Sequence, residues 1–583
     1  MRPCCRRTLA PDAPGRRPQD PAEVRGRLHV GNRKRAVALA ALGMFAVAAC
    51  TTGNDTKLAA AQELRVRLST EPSTFDPGQQ QWDYEAAVGR QTFEALLRPT
   101  KDFKDVAGAA ADTYKVDSNG TVYTFKLHPG ARWSDGKLVK AADFVYAFQR
   151  LLDPRLAAPY ASFYYPIKNA PTVNGMDTRD PGIDAAVQTL GLKAVDDNTF
   201  EVTLEAPAGY FKWVASLWTS APVRKDVVEK WGKDSAGGDK WAAVTPSAPQ
   251  QLVGNGLFVV SEVVTKDHVT LVPNTSYAGS QAKPSLTKIT EYFIDNETVA
   301  YAKYKSGELD MITVPLPDTE GVRSSPELLK VPQLSVFWIN LNVRKAPFND
   351  PKVRLAFAQA IDRDSYNNNV RRGRGLAAST LIPKGMRNYR PDLGSPQKFD
   401  PAAARATLGS AGISAASLNG VKFTFVSTSA SSKTTAEFVQ AQLKTNLGVD
   451  VVLDGIDYRT FSNRLRSGNY AFGGPTAWGA DYPDSQDFYD IFTTGSGNQF
   501  SGWSNKTYDE AVTAANAATD QTKRDAGYER AERTLVSDAP VIFMYQPTAW
   551  YVVKPYVKGI ITTPNDDQWL GSFFPWSIQI AQH

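Results

Sequence analysis

The sequence has very little cysteine and histidine for a chain of 583 residues. Its three cysteines are Cys4, Cys5 and Cys50, so no cysteine follows position 50. This excludes an intrachain disulfide framework and a cysteine-based metal cluster in the body of the chain. Only four histidines are present, and those beyond position 50 are widely separated in sequence. The sequence therefore predicts no metal site.

The motifs of several common enzyme classes are also missing. The chain contains no G-x-S-x-G nucleophile elbow, no H-E-x-x-H zinc motif, no G-x-x-x-x-G-K-[ST] phosphate loop and no Rossmann glycine pattern. Gly254-Asn255-Gly256 is typical of a turn and lacks phosphate-loop spacing. A catalytic pair of carboxylates needs no local motif, so that class of enzyme remains open. We expect a protein that is not an enzyme and that uses no cofactor.

The chain has no excess of one charge outside its first 49 residues. The formal net charge is +6, but residues 1–49 alone contain ten Lys/Arg and three Asp/Glu. The remainder has 56 basic and 57 acidic residues. A nucleic-acid-binding surface needs a basic patch, and this balance offers none. We therefore expect no nucleic-acid partner.

Residues 1–49 contain a basic patch at 32–35, followed by an apolar run from Ala36 to Ala49. A run of about 14 residues fits a signal-peptide core and is short for a membrane span, which needs about 20. The run ends in Val47-Ala48-Ala49-Cys50, which resembles a bacterial lipobox. This predicts cleavage after residue 49 and lipidation of Cys50. A plain secretory signal is the alternative, and the Arg/Pro-rich residues 1–29 suggest that the true start lies near Val30.

The body alternates strand-like and helix-like segments, which predicts a mixed α/β fold. Leu64, Val66 and Leu68 alternate with arginines as in a strand, and residues 84–97 have helical spacing. Asp350-Pro351 forms a helix start, with an N-cap acid before proline. Residues 422–453 predict strand, helix and strand with parallel pairing. Residues 539–545 and 550–553 predict two further strands.

One segment combines aromatic residues, glycines and a single acid: Trp478-Gly479-Ala480-Asp481-Tyr482-Pro483-Asp484. Locally, an Asp before Tyr-Pro is ordinary turn chemistry, so Asp481 is interpretable as a capping residue of a loop. The alternative is that Asp481 holds the positive end of a ligand in a cleft with Trp478 as its wall. Local sequence favours the loop, so the choice depends on the rest of the chain.

Four blocks of the chain follow one another in order: residues 131–136 with 142–154 (ARWSDG and ADFVYAFQRLLDP), extended by 158–162; residues 304–310 (YKSGELD); residues 347–354 (PFNDPKVR); and residues 478–482 (WGADY). Together they resemble the oligopeptide/dipeptide-binding family of bacterial extracellular solute-binding proteins, family 5, which serve peptide ABC transporters. The resemblance covers residues 62–583.

The resemblance implies a two-lobed periplasmic-binding-protein-like fold with two chain crossovers and an additional inserted α+β domain. By this analogy the chain divides as follows: signal peptide 1–49, lipidated tether 50–61, first lobe 62–97, inserted domain 98–222, first lobe 223–320, second lobe 321–545 and first lobe 546–583. The implied cargo is an oligopeptide, bound in the cleft between the lobes and delivered to ABC transporter permease subunits. A monomer on the outer face of the cell membrane is expected.

The resemblance also implies the ligand-binding residues. Asp481 takes the position that holds the α-ammonium group of the peptide, beside Trp478, Gly479 and Tyr482. The peptide backbone is expected to run as an added strand. By position, Gln81, Trp82 and Asp83 are expected to flank the ligand, with Trp338 and its neighbour Phe337 as further candidates.

One position departs from the family pattern. Some oligopeptide binders carry an arginine three residues before the tryptophan, which helps to receive the peptide carboxylate, and here that residue is Pro475. The sequence therefore leaves the carboxylate end of the ligand unassigned. Alternatives to peptide cargo are an oligosaccharide or a metal complex in the same fold. A signalling or chaperone-like extracellular lipoprotein is a third class.

Overall fold

A computed structural model describes residues 57–231 and 251–583. The predicted signal peptide, Cys50 and most of the predicted tether lie outside the described residues. The β-strands are β1 (Glu63–Leu68), β2 (Leu97–Pro99), β3 (Val106–Gly108), β4 (Ala111–Val116), β5 (Val122–Leu127), β6 (Leu192–Asp196), β7 (Thr199–Thr203), β8 (Phe258–Val264), β9 (His268–Pro273), β10 (Lys288–Phe293), β11 (Met311–Thr313), β12 (Leu328–Pro332), β13 (Ser335–Leu341), β14 (Gly375–Ala377), β15 (Lys422–Val426), β16 (Val452–Ile456), β17 (Phe472–Gly479), β18 (Val541–Val553), β19 (Val557–Lys558) and β20 (Gln579–Ile580).

The α-helices lie between these strands and confirm the predicted mixed α/β chain. They are α1 (Asp83–Thr92), α2 (Ala141–Leu152), α3 (Ala170–Asn174), α4 (Ile183–Val187), α5 (Phe211–Val214), α6 (Lys225–Trp231), α7 (Glu297–Lys305), α8 (Thr319–Val322), α9 (Pro351–Gln359), α10 (Arg363–Ser365), α11 (Pro401–Ser410), α12 (Ala430–Leu447), α13 (Tyr458–Ser467), α14 (Gln486–Tyr489), α15 (Lys506–Ala517) and α16 (Gln521–Asp538). No helix of the described residues is both long and apolar enough to cross a membrane.

The first sheet has four strands in the order β1-β10-β9-β8, with β1 parallel to β10. Leu64, Val66 and Leu68 are fully buried, which confirms the predicted alternation. Both ends of the described body meet at this sheet. The Gln62 side-chain amide donates to the Ile580 carbonyl at 2.8 Å, and the Ile580 N–H donates back to Gln62 Oε1 at 2.9 Å.

A second four-stranded sheet, in the order β4-β5-β7-β6, is antiparallel throughout and packs with α2. Aromatic rings fill the space between them: Phe144 and Phe148 of α2 lie 5.8 and 5.4 Å from Phe200 of β7, measured between ring centroids. These residues belong to the same buried cluster as the core of the first sheet. Residues 98–222, here called the α+β segment, are therefore packed continuously onto the first sheet.

The largest sheet has eight strands, and β18 is its longest member. The prediction of two separate strands at 539–545 and 550–553 was wrong, because β18 continues through Pro547. Pro547 has no N–H to donate to the sheet, and its carbonyl accepts from the Gln333 N–H at 3.0 Å. The first half of β18 pairs with β13 and β14, and its second half pairs with β11 and β12. The predicted domain boundaries stay a prediction.

Two predictions are confirmed for the largest sheet and the helices around it. Asp350 caps α9 by accepting the Lys352 N–H at 2.7 Å, and Pro351 occupies the first turn. Strand β15, helix α12 and strand β16 form a unit in which the two strands are parallel. These elements were predictable because their signals are local.

Helix α1 ends at Thr92, five residues before the predicted end. The Asn255 side chain accepts from the Glu94 N–H and donates to the Glu94 carbonyl, so this backbone is held in an extended conformation. The approach is close, since a Cβ on Gly254 would lie 2.0 Å from the Thr92 carbonyl oxygen. A contact between residues far apart in sequence therefore decides where this helix ends.

Candidate functional site

A cavity of about 580 Å³, here called the cleft, lies between the first sheet, the α+β segment and the largest sheet. Its lining comes mainly from four stretches, within 81–90, 216–218, 333–337 and 477–483, together with the C-terminal segment 564–573. A volume of this size is typical of small-molecule sites. The cleft brings together Gln81, Trp82, Asp83, Trp478, Gly479, Asp481 and Tyr482, seven of the eight residues predicted to bind a ligand.

The loop that carries Asp481 is fixed on both sides of the cleft. The Ala480 N–H donates to the Leu334 carbonyl at 2.7 Å, and the Ala480 carbonyl accepts from the Asn565 side chain at 2.6 Å. The Asp481 N–H donates to Oδ2 of Asp487 at 3.0 Å. These bonds give the Asp481 carboxylate a defined position before any ligand arrives.

The Asp481 carboxylate has a polar neighbour but no cation. Its Oδ1 accepts a hydrogen bond from the Tyr160 hydroxyl at 2.7 Å. Within residues 57–231 and 251–583, no Lys, Arg or His forms an ion pair with it. Burial raises the pKa of Asp481 to about 6, although the bond from Tyr160 opposes this shift. An ionised, partly buried carboxylate without a counter-ion is a suitable receptor for a ligand cation.

Behind this loop lies Asp487, which is 4% exposed. Its Oδ2 accepts the Trp478 indole N–H at 3.1 Å and the Asp481 backbone N–H. Its Oδ1 has no hydrogen-bond partner among the described residues. Burial first, and repulsion by Asp481 second, raise the pKa of Asp487 well above its ordinary value. Asp487 thus holds Trp478 and Asp481 in register.

The end of strand β17 presents an open edge along the cleft. Strand β15 pairs with β17 only at Phe472 and Gly473, while β13 pairs with it as far as Gly479. Among the described strands, none pairs with the other edge of residues 476–479. Ala477 and Gly479 are exposed there and line the cleft. The edge offers backbone groups to an extended ligand.

The segment Gln81-Trp82-Asp83 forms the opposite wall. Glu85, which is buried, accepts the N–H groups of Gln81 and Trp82 at 2.8 and 3.1 Å and so holds this turn at the start of α1. Trp82 is 52% exposed, which is unusual for tryptophan and suits a wall that a ligand covers. Asp83 accepts from the Gln568 side chain at 2.7 Å.

Trp338 does not line the cleft, so the prediction of this residue was wrong. It is 3% exposed, packs with Phe492 and donates its indole N–H to Asn340 at 3.2 Å. Neighbouring side chains of a strand point to opposite faces, and here Phe337 faces the cleft. The two positions have similar side chains, so sequence alone did not identify the correct face.

Several cleft residues were missed by the sequence reasoning. Tyr160 lies in one of the family-like blocks, which was its only signal. Arg371 and Asp567 line the cleft, and Arg90 lies within it, stacked on Phe573 with 4.2 Å between guanidinium carbon and ring centroid. Burial, with repulsion by Asp83 next in size, raises the pKa of Asp567 to about 8. No local pattern marks these residues.

The described residues contain no group of three or more His, Cys, Asp or Glu side chains arranged to hold a metal ion. The cleft instead combines three carboxyl groups, two guanidinium groups, aromatic walls and an open strand edge. This arrangement can hold a flexible, zwitterionic molecule with an extended backbone.

Comparison with known proteins agrees with this geometry. The model described as "Bacterial extracellular solute-binding proteins, family 5 Middle" matches residues 105–500. The oligopeptide-binding protein OppA of Bacillus subtilis is 31% identical over 512 residues, covering 85% of this chain and 90% of OppA. The probable deoxycholate-binding periplasmic protein YgiS of Escherichia coli is 31% identical over 522 residues, covering 88% of this chain and 93% of YgiS. The structure of the E. coli murein tripeptide binding protein MppA superposes with a TM-score of 0.74 at 28% identity, covering 91% of this chain and all of MppA.

Proposed function

Because the chain belongs to the bacterial extracellular solute-binding proteins of family 5, a family of binding proteins and not of enzymes, we propose that it captures oligopeptides in the cleft. Its two-lobed α/β fold is that of the family. The observation that carries the proposal is the Asp481 carboxylate, held in the cleft by loop hydrogen bonds and lacking a cation among the described residues.

In this proposal the α-ammonium group of the peptide binds Asp481. An ammonium and a carboxylate at 4 Å gain about 4 kcal/mol at an effective dielectric constant of about 20. Desolvation of both groups offsets much of this gain, so the pair sets the register of the peptide more than it supplies affinity. Tyr160 stays protonated, since burial and Asp481 raise its pKa well above 10, and it steadies the carboxylate as a donor.

The peptide backbone then extends along the open edge of β17. Strand addition satisfies backbone N–H and C=O groups without reading side chains, which suits a receptor for many peptides. Ligand contacts made only when the lobes close favour the closed form, and a permease then recognises that form. The exposed Trp82 and the backbone of 477–479 support this arrangement.

We predict that Arg371 receives the carboxylate end, the group that Pro475 leaves without a partner. Arg371 lines the cleft, and its guanidinium lies 4.8 Å from the Tyr545 ring centroid. Within the part of the chain that the structure describes, its Nε has no hydrogen-bond partner. Arg371→Gln is expected to weaken binding of a peptide acid by about tenfold or more, since a bond to a charged group contributes about 1.5–3 kcal/mol. Binding of the matching C-terminal amide is expected to change little. Equal losses for acid and amide in titration calorimetry contradict this assignment.

Peptide affinity is also predicted to depend on pH. In the free protein the pKa of Asp481 is about 6, and a bound ammonium favours the ionised form, so binding at lower pH requires proton release. Affinity is therefore greatest near pH 7, where Asp481 is ionised and the α-amino group of the peptide, with a pKa of about 8, is still largely protonated. It falls by up to about tenfold per pH unit below about pH 6. Tyr160, Asp487 and Asp567 also face Asp481, so the decisive control is Asp481→Asn, in which the acid-side decline disappears. A decline of the same size in this variant argues against Asp481 as its source.

The proposal also includes a lipid anchor at the N-terminus and a membrane permease as the partner. The Val47–Cys50 pattern supports a lipid anchor at Cys50, and the family supports delivery of peptide to an ABC permease by a monomeric receptor. Mass spectrometry of the mature N-terminus is expected to find acylated Cys50. A mature chain that begins elsewhere or lacks the acyl group rules the anchor out.

A second candidate keeps the fold and changes the cargo. YgiS, by its name, is a probable deoxycholate binder, and aromatic walls such as Trp82 and Trp218 suit apolar ring systems as well as peptides. A thermal-shift panel of peptides, oligosaccharides and deoxycholate separates these cases, together with mass spectrometry of ligand released from the denatured protein. The peptide proposal expects shifts and released mass from peptides. A shift with deoxycholate or sugars alone overturns it.

A further inference from the structure

A second cavity, of about 680 Å³, lies on the far side of Trp478 and Tyr482, the two residues that line both it and the cleft. We call it the acidic cavity. Its walls come from the α+β segment, within 162–210, and from residues 478–517. It is as large as the cleft, and the peptide proposal makes no use of it.

The lining of the acidic cavity has one sign of charge. Glu205, Asp487 and Asp490 contribute three carboxyl groups, and no Lys, Arg or His is found among the described residues that line it. The cleft differs, since Arg90 and Arg371 accompany its acids. The acidic cavity therefore favours a cation and disfavours an anion.

Aromatic rings form much of the remaining wall: Phe163, Tyr165, Tyr210, Trp478 and Tyr482. The faces of such rings attract cations, and aromatic walls of this kind are used to recognise organic ammonium groups. The described residues also show no arrangement of ligands for a metal. The chemistry of the walls thus points to an alkylammonium or guanidinium group.

The buried carboxyl of Asp487 gives an independent sign of a ligand. Its Oδ2 accepts from Trp478 and Asp481, whereas Oδ1 has no hydrogen-bond partner in residues 57–231 and 251–583. Asp487 lines the acidic cavity and not the cleft. A buried carboxyl oxygen without a hydrogen bond is unfavourable, and a donor in the cavity removes that cost. A cation there also favours ionisation of this acid.

We propose that the acidic cavity binds an organic cation, an alkylammonium or guanidinium group, between Glu205, Asp487 and Asp490. Two sources share this chemistry. One is a basic side chain of the bound peptide that passes Trp478 and Tyr482, and this source rests on the proposed peptide cargo. The other is a separate small amine, which does not depend on the cargo.

The first experiment uses n-butylammonium as the probe and n-butanol as its neutral analogue, measured by titration calorimetry. The protein carries Asp481→Asn, so the predicted ammonium site of the cleft is disabled. Binding of n-butylammonium and not n-butanol is expected, with a loss of about tenfold or more on adding Glu205→Gln or Asp490→Asn. Glutamine at 205 keeps the acceptor for the Asn169 N–H. Glu201→Gln, four residues away and outside the cavity, is the matched control and is expected to change nothing.

The second experiment identifies the source of the cation. Wild type and Glu205→Gln are titrated with Lys-Ala-Ala and with the same peptide carrying norleucine for lysine. Loss of the preference for lysine in Glu205→Gln assigns the cavity to the peptide side chain. An unchanged preference, together with loss of n-butylammonium binding, assigns it to a free amine. The proposal is overturned if both substitutions, with thermal midpoints kept, leave n-butylammonium binding unchanged, or if n-butanol binds equally well.

Discussion

Replacing Asp481 by asparagine is expected to weaken binding of peptides with a free amino terminus by about 10- to 200-fold, since hydrogen bonds to charged groups contribute about 1.5–3 kcal/mol. Asparagine keeps the size of the side chain and an oxygen that can accept from Tyr160. The loop bonds of residue 481 use its backbone N–H, so they persist. The loss therefore reports the missing charge.

Acetylating the N-terminus of the peptide removes its ammonium charge, the group that is proposed to bind the Asp481 carboxylate. Wild-type protein should lose a similar factor with the N-acetylated peptide, whereas the asparagine variant should bind acetylated and free peptides nearly alike. Titration calorimetry of these four combinations gives the coupling energy directly. Asp83→Asn removes a carboxylate from the other wall of the cleft, where Asp83 binds Gln568, so in this control the factor lost on acetylation should equal that of wild type. Independent effects of the substitution and the acetyl group argue against the ammonium site.

Breaking the buried ion pair between Arg524 and Asp484 is expected to cost about 3–5 kcal/mol of unfolding free energy, since the remaining charge stays buried without a partner. The guanidinium donates to both carboxylate oxygens at 2.7 and 2.6 Å, and the two side chains are only 9% and 8% exposed. Arg524→Met removes the cation and keeps most of the apolar volume. Urea unfolding followed by tryptophan fluorescence measures the change.

Two further variants identify the cause. Adding Asp484→Asn to Arg524→Met removes the stranded charge and keeps an acceptor for the Gln486 N–H, so part of the stability returns. The matched control is Arg179→Met, because Arg179 also makes two bonds to one carboxylate but lies exposed. This variant should unfold at the wild-type urea concentration. A double variant less stable than Arg524→Met argues against the charge mechanism.

Sequence predicted the elements whose signals are local. The Asp350-Pro351 start of α9 and the unit of β15, α12 and β16 depend on neighbouring residues, and both are as predicted. Residues 478–482 were recognisable because they form one of four blocks that occur in the family order, and these residues do line the cleft. Their role in binding stays a prediction.

The remaining features depend on contacts between distant residues. Tyr160 reaches Asp481 across 321 positions, and Asn255 ends α1 from 161 positions away. Trp338 and Phe337 are adjacent aromatic residues that lie on opposite faces of β13. A shift of the strand register by one residue would exchange those faces, so the sequence does not show which of the two lines the cleft. Nothing in a single sequence specifies such partners, so the donor to Asp481 and the positions of Arg371 and Asp567 are apparent only in the folded chain.

The meeting of Gln62 with Ile580 has a consequence for the order of folding. These partners are 518 positions apart, and their two hydrogen bonds join the two ends of the described chain beside β1, at the core of the first sheet. A growing chain therefore lacks this closure until residue 580 has been made. Long-range closure of this kind slows folding, because the loop entropy is lost before the contact compensates for it. A chain cut before Ile580 loses both bonds and keeps only the local bond from the Gln62 amide to the Ala59 carbonyl, so the first sheet is completed late in folding.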